Sequence, residues 1–169
     1  MAVLQSLRTS LRLPGLRNRL LFTAAMLVVL RVGAVVSVPG VNIELVSLLL
    51  SAGGLLGYLD LFSGGSLKVF GIFALGVIPY INASIIMQLM TIVLPRLEEM
   101  QKEGQEGRKK IQQYTRYLTV VLALMQSFAF GIWLKREYAF LNNNWTTLFV
   151  IMITLTAGTA FLMWLGEMI

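Results

Sequence analysis

The chain has 169 residues, 57% of them hydrophobic and only 13% charged, with a mean hydropathy of +0.77. A soluble domain is usually about 45–50% apolar with about 25% charge, so lipid is the expected solvent for much of this chain. Histidine and cysteine are both absent, which excludes imidazole and thiolate metal sites, cysteine nucleophiles, histidine bases and disulfides. The net charge of +6 matters less than where its members stand, because in a membrane protein the placement of Lys and Arg sets orientation.

Residues 1–19 carry Arg8, Arg12, Arg17 and Arg19 with no acid among them. An apolar run, Leu20–Val38, follows and is long enough to cross about 30 Å of hydrocarbon as a helix. It contains Arg31, whose long stem is expected to carry the guanidinium toward the outer interface. A cleaved signal peptide fits poorly, since the apolar run is too long and Ser37-Val38-Pro39-Gly40 makes a poor cleavage site.

Residues 39–68 form a long, apolar connection. Ile43–Ala52 reads as a short interfacial helix started near Asn42. After it comes GGLLGYLDLFSGGSL, Gly53 to Leu67, about two helical turns with glycine pairs at both ends. Such a piece is too short to cross and too apolar for water. It lies on the bilayer surface or fills a cavity of its own protein, and the residues alone favour the surface helix. The GGS before Lys68 lacks the spacing of a phosphate loop.

Three further apolar stretches, Val69–Leu94, Tyr117–Leu134 and Trp145–Leu165, are each long enough to span. Continuous runs favour helices over barrel strands, which alternate with period two. Between the second and third spans, residues 95–116 hold Arg96, Lys102, Arg108, Lys109, Lys110 and Arg116, interleaved with Glu98, Glu99, Glu103 and Glu106. Ten of the fourteen basic residues therefore fall on one side, expected to be cytoplasmic, with residues 135–144 outside and 166–169 back inside. Tyr138, Trp145 and Trp164 sit where interfacial aromatic belts are expected. The sequon at Asn144-Trp145-Thr146 reads as coincidence.

The stretch GVIPYINASIIMQLM, Gly76 to Met90, is unusual for a plain anchor. Pro79 cannot donate to the carbonyl of Leu75 and predicts a kink in the second span. Val77, Ile81 and Ile85 share one face at i, i+4 spacing, with Ser84 and Gln88 on another line and Asn82 beside it. Asn and Gln avoid lipid. These polar groups, with Gln126 and Ser127 of the third span, read either as interhelical glue or as a polar seam beside an apolar pathway. Asp60, Glu44 and Glu167 form no evident acid–base pair, so neither an enzyme nor a cofactor is expected.

Four blocks, RVGAVVSVPGV (Arg31–Val41), LFSGGSL (Leu61–Leu67), IFALGVIPYINASIIMQL (Ile72–Leu89) and KEGQEGRKKIQQYTRY (Lys102–Tyr117), together resemble the SecY family, the main subunits of the Sec protein-conducting channel. The match runs from about Leu13 to the end. The resemblance implies an all-α polytopic helical bundle, here the N-terminal part of a ten-helix fold in two pseudosymmetric halves. It implies passage of unfolded secretory polypeptides across the membrane and sideways release of membrane segments into lipid. On that pattern Val77 and Ile81 belong to an apolar pore ring, with Val77 smaller than the isoleucine often found there. Asn82, Ile85, Ile86 and Gln126 belong to a lateral gate. Leu55, Leu56, Tyr58, Leu59, Leu61 and Phe62 belong to a plug over residues 53–67, which reverses the preference for a surface helix. Arg108, Lys109 and Lys110 become cytoplasmic contacts for partners. Those implied are SecE, SecG, the SecA motor or the ribosome, signal sequences and nascent chains, lipids, and the remaining C-terminal part of the same subunit. The location implied is the cytoplasmic (inner) membrane of a bacterium.

The chain stops at WLGEMI, Trp164 to Ile169, where the family continues through six more helices. It is therefore expected to be an N-terminal fragment, a truncated product or an incomplete chain, inactive by itself. Two other classes compete: half of a small-solute transporter with a broken-helix site near Pro79, and a membrane anchor without a transport role.

Overall fold

In the computed structural model the described residues are 14–51, 58, 60, 63–137, 139 and 144–168. The fold is an all-α membrane bundle. Its helices are α1 (Pro14–Val35), α2 (Ile43–Ser51), α3 (Ile78–Val93), α4 (Pro95–Lys102), α5 (Gln105–Arg136) and α6 (Trp145–Met168). Three of them, α1, α5 and α6, are long and apolar enough to cross a membrane, and α3 with α4 forms a further candidate bent by 99°.

The tightest pairing is between α5 and α6. Thr115, Thr119, Ala123, Ser127 and Gly131 recur every fourth residue along α5, and all are buried. Side chains this small let two helix backbones approach closely, the usual basis of association where lipid is as apolar as leucine. Gly131 lies against Leu148, and Ser127 Oγ is 3.4 Å from Thr156 Oγ1. At the other end of the pair, Arg116 grips Glu167 with two nitrogens, Nε at 2.8 Å and Nη2 at 2.5 Å. Helix α3 packs on α5 through Pro79, Ala83, Met87 and Thr91, a buried stripe at the same four-residue spacing.

The main core sits at the opposite end from that ion pair. Val38, Val41, Val46, Leu50, Leu67, Phe70 and Leu75 meet Leu134, Leu148, Ile151 and Leu155 there. Helix α2 is started by Asn42, whose Oδ1 accepts from the backbone N–H of Glu44 and Leu45 at 3.1 and 3.4 Å. It buries Val46 and Leu50, one turn apart. Helix α1 is almost wholly exposed and touches the rest near its end. Gly33 makes room for the Phe73 ring, and Ala34 packs with Phe73 and Leu162.

Two boundaries differ from the sequence expectation. The stretch 69–94 is helical only from Ile78, because residues 63–77 run as successive turns. The residues 95–116, expected as a loop, form α4 and the first three turns of α5. At 32 residues α5 is about 48 Å long, longer than the hydrocarbon layer. Hydropathy marks the membrane portion of a helix, and charged turns can continue it into water.

Candidate functional site

The site is built from α3 and the apolar turns that lead into it. Asp60 is buried at the start of those turns. Its carboxylate accepts from Ser63 Oγ (3.4 Å) and the Lys68 backbone N–H (3.2 Å), and lies 3.8 Å from Lys68 Nζ. Its carbonyl accepts from Gly65 N–H at 3.0 Å. Gly64 and Gly65 have φ of +65° and +83°, values that glycine adopts without steric cost. Ser63 Oγ then accepts from Leu67 N–H at 3.1 Å. Further turns are closed by Gly71 N–H to Ser66 carbonyl (2.7 Å), Ala74 to Gly71 (2.9 Å) and Gly76 to Phe73 (2.8 Å).

This segment is stitched to the end of α1. Ser37 and Gly71 form an antiparallel bridge, with Val38 N–H to Phe70 carbonyl and Ile72 N–H to Val36 carbonyl, both 2.9 Å. Arg31 Nη1 donates to the Gly64 carbonyl at 3.0 Å. Arg31 is exposed yet has a partner within the protein, which adds to the snorkelling side chain that the sequence alone suggested.

Pro79 does not kink a helix; it begins one. Ile78 is the first residue of α3 and Pro79 the second, where a proline's missing N–H is one of those a helix start leaves unpaired anyway. The sharp break comes instead at Leu94–Pro95. Leu94 is extended (φ −100°, ψ 113°), as a residue before proline should be.

Val77 precedes the first turn of α3, and its carbonyl accepts from Ile81 N–H at 3.0 Å. Val77, Ile81 and Ile85 are 41%, 45% and 50% exposed, so no described element covers this aliphatic line. Asn82 and Ile86 are exposed beside it, as are Leu89 and Ile92 farther along. Ser84 and Gln88 approach one another at 3.5 Å and line a polar cavity of about 380 Å³ between α3 and α5, together with Tyr80, Gln112 and Arg108. Gln126 is half-buried in a separate cavity of about 200 Å³, beside Leu75, Ile78 and Phe130. Lys109 and Lys110 project from the first turns of α5, exposed. A larger apolar groove of about 990 Å³ fills the elbow between α3, α4 and α5, lined by Met87, Met90, Leu94, Met100, Tyr117 and Val121.

Of the six expected plug residues, Leu55, Leu56, Leu59, Leu61 and Phe62 lie outside the described residues. Tyr58 is described and exposed. Sequence reasoning missed Asp60 as the organiser of the turns and Arg31 as their tie to α1. An acid and a base eight residues apart in an otherwise apolar stretch were the available signal.

Residues 71–169 match the sequence model of the SecY family. The chain is 46% identical to the protein translocase subunit SecY of Streptomyces griseus, over 92% of this chain and 39% of that protein. It is 48% identical to the subunit of the same name from Pseudomonas aeruginosa, over 90% of this chain and 35% of that one. For Synechocystis the figures are 44%, 92% and 35%. The chain thus spans about two-fifths of the length of the curated relatives it matches. Matched along most of its length and folded as an apolar helical bundle, this multi-pass membrane protein belongs to the SecY family.

Proposed function

We propose that this chain supplies the first helices of the pore-forming subunit of a Sec translocon, which passes unfolded secretory proteins across the membrane and membrane segments into the bilayer. The observation that carries the reading is the uncovered aliphatic line Val77–Ile81–Ile85, starting where the buried turns end. An apolar constriction excludes ions and water and grips no peptide sequence strongly, so chains of any composition can slide through. Val77 and Ile81 are the ring members in this proposal. Asn82, Ile85, Ile86 and Gln126 form one side of a lateral gate, and the segment 53–67 is the plug. A gate must exchange helix–helix contacts for contacts with a signal sequence, and polar interruptions in an apolar seam ease the exchange. The relatives' name, protein translocase subunit, favours this reading over the small-solute transporter and the anchor.

The proposal places residues 1–19 and 95–116 in the cytoplasm of a bacterium, by the excess of Lys and Arg there. Arg108, Lys109 and Lys110 then face the SecA motor or the ribosome, while SecE and SecG bind within the membrane. The test is crosslinking in the full-length subunit, whose described portion contributes no native thiol. Cysteines replacing Val77 and Ile81 should trap a stalled secretory chain, while one replacing the buried Ala83 should not. Equal adducts at all three positions, or none at any, overturn the proposal.

A further inference from the structure

We infer that Arg31 is a positioning residue for the plug, a clasp by which the first spanning helix holds the glycine pair at the plug's downstream end. The inference rests on the channel reading above and adds to it a residue outside the ring, gate and plug.

A guanidinium carries five N–H donors and no acceptor, and within an apolar helix it needs a partner. Arg31 is four residues from the end of α1 and finds the Gly64 carbonyl at 3.0 Å, thirty-three positions along the chain. That carbonyl belongs to the left-handed Gly64–Gly65 turn, which Asp60 and Ser63 close from within. The described ties between α1's end and this segment divide by position. The backbone bonds at Val36 and Val38 reach only residues 70–72, so they hold the downstream half. Arg31 alone among these ties reaches the glycine pair, where a plug would swing. Releasing it leaves the 36–38 bridge and the bonds that close the turn from within in place, and removes the described tie between α1 and the glycine pair.

Ser66 is a suitable reporter. It is fully buried next to that turn, and its Oγ makes no hydrogen bond among the described residues, so Ser66→Cys removes none. In the full-length subunit reconstituted into proteoliposomes, labelling of this thiol by a hydrophilic maleimide reads how often the turn opens. A charge-assisted hydrogen bond is among the stronger single contacts. Arg31→Met should therefore raise the labelling rate about tenfold, with Arg31→Lys between the two. Equal rates in Arg31→Met and its parent overturn the clasp, whatever happens to transport. Should Arg31→Met fail to insert, Arg31→Lys against Arg31→Gln makes the same comparison. Faster labelling in Arg31→Gln supports the clasp and equal rates overturn it. Resting ion leak, recorded on the same vesicles, separates the two levels. Faster labelling with increased leak supports both. Faster labelling without leak keeps the clasp and overturns the pore-blocking role of the segment it holds.

Discussion

The α5–α6 pair and the α3 region are held by different kinds of contact. The pair is joined by small residues, Ser127 against Thr156 and Gly131 against Leu148, and closed at one end by the bidentate Arg116–Glu167 bridge. Helix α3 has one buried stripe against α5, an uncovered aliphatic line, and turns tied to α1 by three hydrogen bonds. Close backbone packing has no halfway state, since a shift of a methyl group's width loses most of its dispersion contacts. A few hydrogen bonds at a turn can be exchanged singly. The first region is built as a fixed wall, the second as a surface able to change neighbours.

Four tests break or sharpen that contrast. The largest effect should come from Gly158→Leu on α6, because a side chain there runs into the Ile72 backbone carbonyl, which cannot step aside. A loss of about 3 kcal/mol is expected, read as thermal unfolding in detergent; a change below experimental error would show that the Ile72 turn moves aside from α6. Next, Arg116→Ala, Glu167→Ala and the double variant form a cycle, and their coupling should be about 1 kcal/mol. Additive effects would mean that the ion pair does not join α5 to α6. Smaller still is Pro79→Ala. A proline in the first turn mainly restricts the unfolded chain, so about 0.5 kcal/mol is expected, with no change in helix direction. A marked gain in helix content by circular dichroism would restore the mid-helix kink. The smallest effect concerns Glu98 on the charged helix α4, which the proposed topology puts in the cytoplasm. Its hydrogen bond with Lys102 at 2.6 Å, and then the charge of that lysine, hold its carboxyl below the usual glutamate value. A lowered folded value means the contact contributes above the unfolded glutamate pKa and is lost as pH falls through the folded one. Carboxyl NMR should find Glu98 titrating below the ordinary glutamate value, and Lys102→Ala should raise its midpoint.

Much of the fold was legible because crossing a bilayer demands long apolar runs, and each such run here contains a helix. Where those helices begin was not legible. Residues 69–77 are as apolar as a span, yet Gly71 and Gly76 sit in turns and Gly76 has φ +58°; hydropathy does not tell a greasy turn from a greasy helix. The meaning of Pro79 changed for the same reason, from an interruption to a start. Ser127, read as possible interhelical glue, does face Thr156, because short polar side chains in a span find partners locally. Arg31 was harder, since its acceptor is a backbone carbonyl remote in sequence and no residue type announces it. That Val77, Ile81 and Ile85 share one face followed directly from i, i+4 spacing, whereas their exposure, and what separates Gln126 from the exposed Asn82, is a matter of packing that spacing alone does not encode.

The near right angle at Leu94–Pro95 has a mechanical meaning. Two straight helices joined end to end transmit a pull along their common axis, but joined at 99° they act as a crank. A load applied along α4 would reach the foot of α3 as a sideways thrust, and the methionine-lined hollow inside the bend holds soft, deformable side chains.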